Sequence, residues 1–315
     1  MSSTVTIAQL TDVHLGPIRG FTPRHWGLKR ATGVINWHRS RKHALAEGAL
    51  ARIVADMKAA APDHVVVTGD LVNVGLPAEI EAASEWLSTL GPPERVSVVP
   101  GNHDIYARKG SDYALSAWAP HMRSCEAGGA IARFDDPVFP FVRYVGGVAV
   151  VGVNSAVPTP VFVASGRVGA RQRARLKQTL ERLRGEGLFR MVLIHHPPLP
   201  ELASAARGLR DARPVSRLIR EVGAELIVHG HNHTNTLVHA TGPLGPVPIV
   251  GCATASHAGR RHNEPLARYN LYRITPSSGP AGPTIEVIGR GLASPEGPIV
   301  ELERRELIPA VAAAA

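Results

Sequence analysis

The chain has 315 residues, with 35 Lys plus Arg against 26 Asp plus Glu, a net charge of +9 with histidine neutral. An apolar share of 44% excludes general disorder, and two cysteines, Cys125 and Cys252, exclude a disulfide scaffold and a multi-cysteine zinc module. No apolar run reaches the length of about 18 residues that a membrane helix needs, and the N-terminal residues lack a basic, then apolar, leader. A soluble, reduced, cytoplasmic protein is expected. Only five of the cations are lysine, against an Arg-, Ala-, Gly- and Pro-rich background, so the charge by itself does not mark a nucleic-acid binder.

Short Val- and Ile-rich runs predict buried strands at 5–10, 65–68, 96–99, 148–153, 191–194 and 226–228. Amphipathic stretches between them predict helices over 43–59, 77–90, 170–183 and 214–222. In the third of these, Leu176, Leu180 and Leu183 recur at helical spacing while arginines fill the other face. Beyond Gly230 the pattern turns to strands at 236–239, 248–252, 269–274 and 285–288. Alternation first and strands afterwards predict an α/β fold of two sheets with helices packed outside, a single domain over 1–305 followed by an Ala-rich tail at 306–315.

Polar clusters follow the strand-like runs. Asp12-Val13-His14, Gly69-Asp70, Gly101-Asn102-His103-Asp104, His195-His196-Pro197-Pro198 and His229-Gly230-His231-Asn232-His233 come in this order. Ligands of α/β sheets bind at the carboxyl ends of strands, so the five clusters are expected to converge. Each alone is an ordinary turn or strand end. Together they form a set of carboxylates, imidazoles and carboxamides suited to Mn, Fe, Zn or Co.

This ordered set resembles the calcineurin-like metallophosphoesterase superfamily, whose pattern reads D-x-H, G-D, G-N-H-[DE], H, G-H-x-H, and it spans about seventy per cent of the chain. The resemblance implies a four-layer α/β/β/α sandwich and two divalent or trivalent metal ions. Asp12, His14 and His233 would hold one ion, Asn102, His195 and His231 the other, and Asp70 would bridge them. His103 would protonate the leaving group, with Asp104 either orienting it or serving only as a turn cap. Asn102, His103 and His196 would face the substrate, His196 alternatively standing behind the ligands. Physically, two cations about 3.5–4 Å apart stabilise both the attacking and the leaving oxygen of an in-line displacement, and a bridging hydroxide is a strong nucleophile near neutral pH. A shared carboxylate lets two cations approach so closely.

Departures narrow the subgroup. Residues 69–75 lack the further Asp and Arg of phosphoprotein phosphatases, His196-Pro197 replaces their Gly-Gly, and Asn73 stands where purple acid phosphatases place a tyrosine ligand. The pattern is most similar to the bacterial phosphodiesterase branch, which includes class III cyclic-nucleotide phosphodiesterases. A phosphodiesterase is therefore expected. The alternatives are a membrane-associated pyrophosphohydrolase of a lipid headgroup or nucleotide-sugar lipid, and a catalytically weak regulatory protein.

No acidic residue occurs between Asp12 and Glu47, whereas Arg19, Arg24, Lys29, Arg30, Arg39, Arg41, Lys42, Trp26, Trp37 and Phe21 do. Residues 16–41 thus read as a basic insertion over the site, open to three uses: contact with an anionic membrane at its inner face, a clamp on a phosphate-bearing substrate, or a packed loop. A nucleic-acid partner is the weakest reading of this segment.

Overall fold

The structure, a computed structural model, describes residues 3–37, 48–107, 111–131, 139–259, 264–277 and 282–307. Two six-stranded mixed sheets face each other. In the first, β1 (Val5–Leu10), β2 (His64–Val67) and β3 (Val96–Val98) run parallel. On the other side of β1 lie β10 (Arg268–Thr275), β11 (Thr284–Leu292) and β12 (Ile299–Leu307), antiparallel in succession, giving the order β12-β11-β10-β1-β2-β3.

The second sheet has a parallel centre of β5 (Val148–Val153), β6 (Phe189–Ile194), β7 (Leu226–His229) and β9 (Gly245–Gly251). Antiparallel edges are β4 (Phe141–Val145) and β8 (Thr236–Gly242), in the order β4-β5-β6-β7-β9-β8. Every residue of β2, β3, β5, β6 and β7 is buried, as expected of parallel strands covered on both faces.

Alternation along β5 separates the layers. Val148 and Val150 join Met191, Leu193 and the first sheet's Ile7 and Val66 in one apolar cluster. Ala149, Val151 and Val153 point the other way, onto Leu176, Leu180 and Leu183 of α6 (Ala170–Gly185) and Val215, Leu218 and Ile219 of α7 (Ala212–Val222). The first sheet is covered by α2 (Ala49–Ala59), which lies over β10–β12, and by α3 (Pro77–Leu90), whose Ile80 and Leu87 enter the same cluster as Ile7. Two short helices, α4 (Ser111–Ala117) and α5 (Glu126–Ile131), connect the halves. The result is the expected α/β sandwich.

Several boundaries differ from the sequence reading. Strand β12 runs through Glu306 and Leu307, with Leu307 buried, so the last strand extends into the stretch read as a tail; residues 308–315 lie outside the described residues. Of the helix expected over 43–59, residues 49–59 are described as helical and 43–47 fall outside the description. The 16–41 insertion is described as far as Trp37 and contains helix α1 (Leu28–Asn36). Its two tryptophans separate: Trp26 is 68% exposed, whereas Trp37 is 6% exposed and packs beside Gly16.

Candidate metal centre

The loops leaving β1 and β2 are bonded to one another. Asp12 N donates to Gly69 O at 2.9 Å, His14 N to Asp70 O at 2.9 Å and Leu15 N to Leu71 O at 2.8 Å. This close approach requires glycine at 69, where φ is +93° and an added Cβ would stand 2.6 Å from both Gly101 N and His195 Nδ1. Gly101 is equally constrained, because its Cβ would strike the Asp70 carboxylate. The carboxylate of Asp104 locks the arrangement: Oδ2 accepts from Asp70 N and Gly101 N, and Oδ1 from Leu71 N and Val72 N, at 2.8–3.1 Å. Asp104 is therefore the clasp between two ligand loops, closer to the turn-cap expectation than to a catalytic partner of His103. Burial and the neighbouring Asp70 charge raise its pKa to about 7.

Seven described non-glycine residues have positive φ, and five of them are Asp12, His14, Asp70, His231 and His233. Each such conformation costs about 1–3 kcal/mol and persists where the surroundings over-determine it. The strain is concentrated on the residues that the motif reading selects.

These side chains converge. Asp12, His14 and His233 can present one ligand atom each within 4.8 Å of one another, and so can Asp12, Asp70 and His195. His233 Nε2 lies 3.2 Å from Asp12 Oδ1 and 3.4 Å from His14 Nε2. On the other side, His195 Nε2 lies 3.2 Å from both Asn102 Oδ1 and His231 Nδ1. Asp70 stands between the groups, with Oδ2 3.5 Å from His195 Nε2 and 3.9 Å from His14 Nε2.

Tautomers follow from the partners behind the rings. His14 Nδ1 lies 3.1 Å from Val72 O, and His195 Nδ1 lies 2.7 Å from Thr68 O; a carbonyl only accepts, so Nδ1 carries the proton and Nε2 turns inward. His233 Nδ1 faces the Glu264 carboxylate at 3.3 Å. Glu264 belongs to no motif and was missed in the sequence. Such a carboxylate behind an imidazole raises its basicity toward a metal.

The donor set fits cations. His231 Nε2 is buried without a hydrogen-bond partner, and Asp12 Oδ1 has only the His233 imidazole at 3.2 Å; such atoms are costly unless something else satisfies them. Burial raises the Asp70 pKa, but His195, His103 and His14 outweigh it and hold the carboxyl well below its usual range. Burial lowers that of His195, yet Asp70 carries it to about 9. Positive charge is thus drawn to the point between these groups. His196 can present a ligand atom within 4.8 Å of those of His195 and His231. Its fully buried ring also has Nδ1 2.8 Å from Ser155 Oγ and Nε2 3.1 Å from Ala164 O, contacts that suit a supporting position behind the ligands. Burial, then the charge of His195, lowers its pKa to about 3.

His103 lies at the outer side of Asp70. Its backbone N donates to Asp70 Oδ1 at 2.7 Å, its ring meets that of His14 edge-on at 4.9 Å, and its Nδ1 is bound to the Asn73 carbonyl. It is half-buried, unlike Asp70 and Asp104.

The profile of the Calcineurin-like phosphoesterase family matches residues 5–235, most of the chain. The chain belongs to this family. It is accordingly a hydrolase, and its His/Asp clusters could hold metal. The phosphoesterase is 24% identical over 233 residues to a probable cyclic nucleotide phosphodiesterase of Synechococcus sp., covering 73% of this chain and 74% of the relative. It is 26% identical over 228 residues to a cAMP/cGMP dual specificity phosphodiesterase of Mycobacterium tuberculosis, covering 69% of this chain and 64% of that relative, just under two thirds of its length. A dimetal phosphatase from Danio rerio shares the fold, with a TM-score of 0.61 at 14% identity over 97% of this chain and 99% of that one. A purple acid phosphatase from yellow lupin matches at a TM-score of 0.51 and 13% identity, over 96% of this phosphoesterase and 53% of the lupin chain. No described helix is long and apolar enough to cross a membrane.

Proposed function

We propose that this phosphoesterase hydrolyses small phosphodiesters at a two-metal centre. Asp12, His14 and His233 would hold one ion, Asn102, His195 and His231 the other, and Asp70 would serve both. The observation that carries the reading is the position of Asp70, whose Oδ2 lies 3.5 Å from His195 and 3.9 Å from His14, between the two groups. When bound, the ions supply an acidified water as nucleophile and neutralise charge on the phosphate. The protein supplies the rest. Buried carbonyls at Val72 and Thr68 aim two imidazoles inward, and the Asp104 clasp holds the Asp70 and Asn102 loops at a fixed separation.

His103 is the general acid. The Asn73 carbonyl retains a proton on Nδ1, so the proton given to the leaving alkoxide is the one on Nε2. A contribution of about 10²–10⁴-fold is typical of such a group. The activities named for the two bacterial relatives direct the first substrates to cyclic nucleotides. Neither a lipid-linked pyrophosphate nor a regulatory role is favoured by an observation of its own, and the burial of Trp37 removes one of the two ring anchors a membrane element would use.

A substrate panel on protein reconstituted with Mn, Fe or Zn tests the proposal. Hydrolysis of 2′,3′- and 3′,5′-cyclic nucleotides and of a methyl nitrophenyl phosphate, above that of monoesters, is expected. Turnover of monoesters alone would contradict it.

A further inference from the structure

Helix α1 of the insertion is docked over the loop that follows Asp70. Arg30 donates to the carbonyls of Val74 and Gly75 at 3.3 and 3.1 Å, and the Tyr106 hydroxyl donates to the Lys29 carbonyl at 3.2 Å. The docking turns one cation toward the centre. Lys29 Nζ donates to Thr159 Oγ1 at 2.7 Å and lies 4.5 Å from the centroid of the Tyr106 ring. That ring stacks on His103, with centroids 5.4 Å apart at 27°. The sequence His103, Tyr106, Lys29 therefore leads outward from the position of the leaving group.

Among the described residues the polar and ring partners of Lys29 are a neutral hydroxyl and an aromatic face, and no carboxylate pairs with it. An ammonium has three donors, and a half-buried cation is poorly solvated unless an anion meets it. Burial lowers its pKa to about 8 despite the pull of Asp70, and Arg210 adds repulsion. The segment of chain bearing Arg210 also carries Arg207, and both are exposed. Arg207 donates to the carbonyl of His231 at 2.9 Å and Arg210 to Ser165 Oγ at 2.9 Å, again neutral acceptors. Cations from two separate stretches of chain thus border the centre without acidic partners among the described residues.

We propose that Lys29, together with Arg210, binds a second anionic group of the substrate, a phosphate other than the one being cleaved, so that the basic insertion selects phosphodiesters carrying an additional phosphate. The reacting phosphate is already supplied with the seven ligand residues, their ions and His103. Lys29, one ring farther out, meets the part of the substrate beyond the leaving oxygen. This inference rests on the phosphodiesterase reading and gives the insertion its use as a substrate clamp.

The test compares the dinucleotide ApA with its 5′-phosphorylated form pApA on the metal-reconstituted protein. Lys29→Gln keeps a donor for Thr159 and removes the charge; Lys29→Arg keeps the charge. For wild type, kcat/KM should be higher for pApA than for ApA, and equal values would overturn the inference. Lys29→Gln should lower kcat/KM for pApA about tenfold more than for ApA, chiefly through KM, as expected for a lost hydrogen bond to a charged group. Lys29→Arg should retain the preference. Equal losses on the two dinucleotides would overturn the inference, because Lys29 would then serve the reacting phosphate or the fold. If wild type cleaves neither dinucleotide, the phosphodiesterase reading still rests on the cyclic-nucleotide panel, and binding replaces turnover as the readout. Calorimetric binding of pApA and ApA then decides the subsite: a loss in Lys29→Gln confined to pApA supports it, and equal affinities of wild type and Lys29→Gln for pApA overturn it.

Discussion

The strand-end centre and the rim above it are built by opposite means. Asp12, His14, Asp70, Asn102, His195 and His231 are all at most 5% exposed, and strained backbone, glycine contacts and buried carbonyls hold them in place. At the rim, Trp26 is 68%, Leu28 74% and Phe162 90% exposed, and Lys29 spans from α1 to Thr159 and the Tyr106 ring on a long, flexible side chain. The chemistry is thus set by backbone geometry that admits few alternatives. Selectivity is left to side chains that can change without disturbing it.

If this division holds, disturbing the centre costs far more than disturbing the rim. Removal of metal with a chelator should lower phosphodiester hydrolysis by about 10³-fold or more, since nucleophile and charge stabilisation are lost together. Readdition of Mn should restore it; residual turnover near the starting rate in metal-free protein would break the comparison. His103→Ala comes next. It should keep wild-type metal content while losing about 10²–10⁴-fold on alkyl diesters. The loss should shrink for nitrophenyl esters, whose leaving group needs no proton, and equal losses on both would remove the general-acid role.

Asp104→Asn sharpens the claim that the centre depends on its backbone. The amide offers a single acceptor oxygen where the carboxylate offers two, leaving two of the four N–H donors without a partner. A stability loss of about 1–3 kcal/mol per unsatisfied donor is expected, read as a lower denaturation midpoint, with activity falling in step. An unchanged midpoint would show that the clasp is not structural.

The last effect is silent at neutral pH and lies far from both regions. His64, at the opening of β2, bonds Ser97 Oγ at 2.8 Å and is buried. Burial, with the charges of Arg143 and Arg95, lowers its pKa from 6.5 to about 3. The unfolded chain therefore binds one more proton than the native chain between these values. Stability contributed by the neutral ring is intact above pH 6.5 and is lost as pH falls toward 3, with a slope of up to about 1.4 kcal/mol per pH unit. His64→Gln should flatten that acid limb of the denaturation midpoint without altering metal content. A wild-type acid limb would contradict the assignment.

How much was legible in the sequence follows the same division. The central strands β1, β2, β3, β5, β6 and β7 announce themselves because both faces are buried and the runs are almost wholly apolar. The five motifs are legible because the loops after these strands need particular residue types at fixed spacing. Strand β12 was missed: among the described strands it pairs only with β11, and its Ile-Val-Glu-Leu-Glu-Arg-Arg-Glu-Leu sequence is held partly by ion pairs such as Arg304–Glu286 and Arg268–Glu303. Helix α1 was missed within a segment read for its charge and aromatic residues. The roles of Asp104, Glu264 and Lys29 depend on which distant backbone or ring each one meets, and no local pattern encodes that. Likewise His195 and His196 are adjacent in sequence, and only the packing of Ser155 and Ala164 against the second ring tells ligand from support.

The shared carboxylate is the centre of the account, and metal stoichiometry tests it most directly. Elemental analysis of purified wild type, Asp70→Ala and His14→Ala, each reconstituted with Mn, gives ions per chain. Two per chain are expected for wild type, loss at both sites for Asp70→Ala, and loss mainly at one for His14→Ala. Full occupancy in Asp70→Ala would contradict the account.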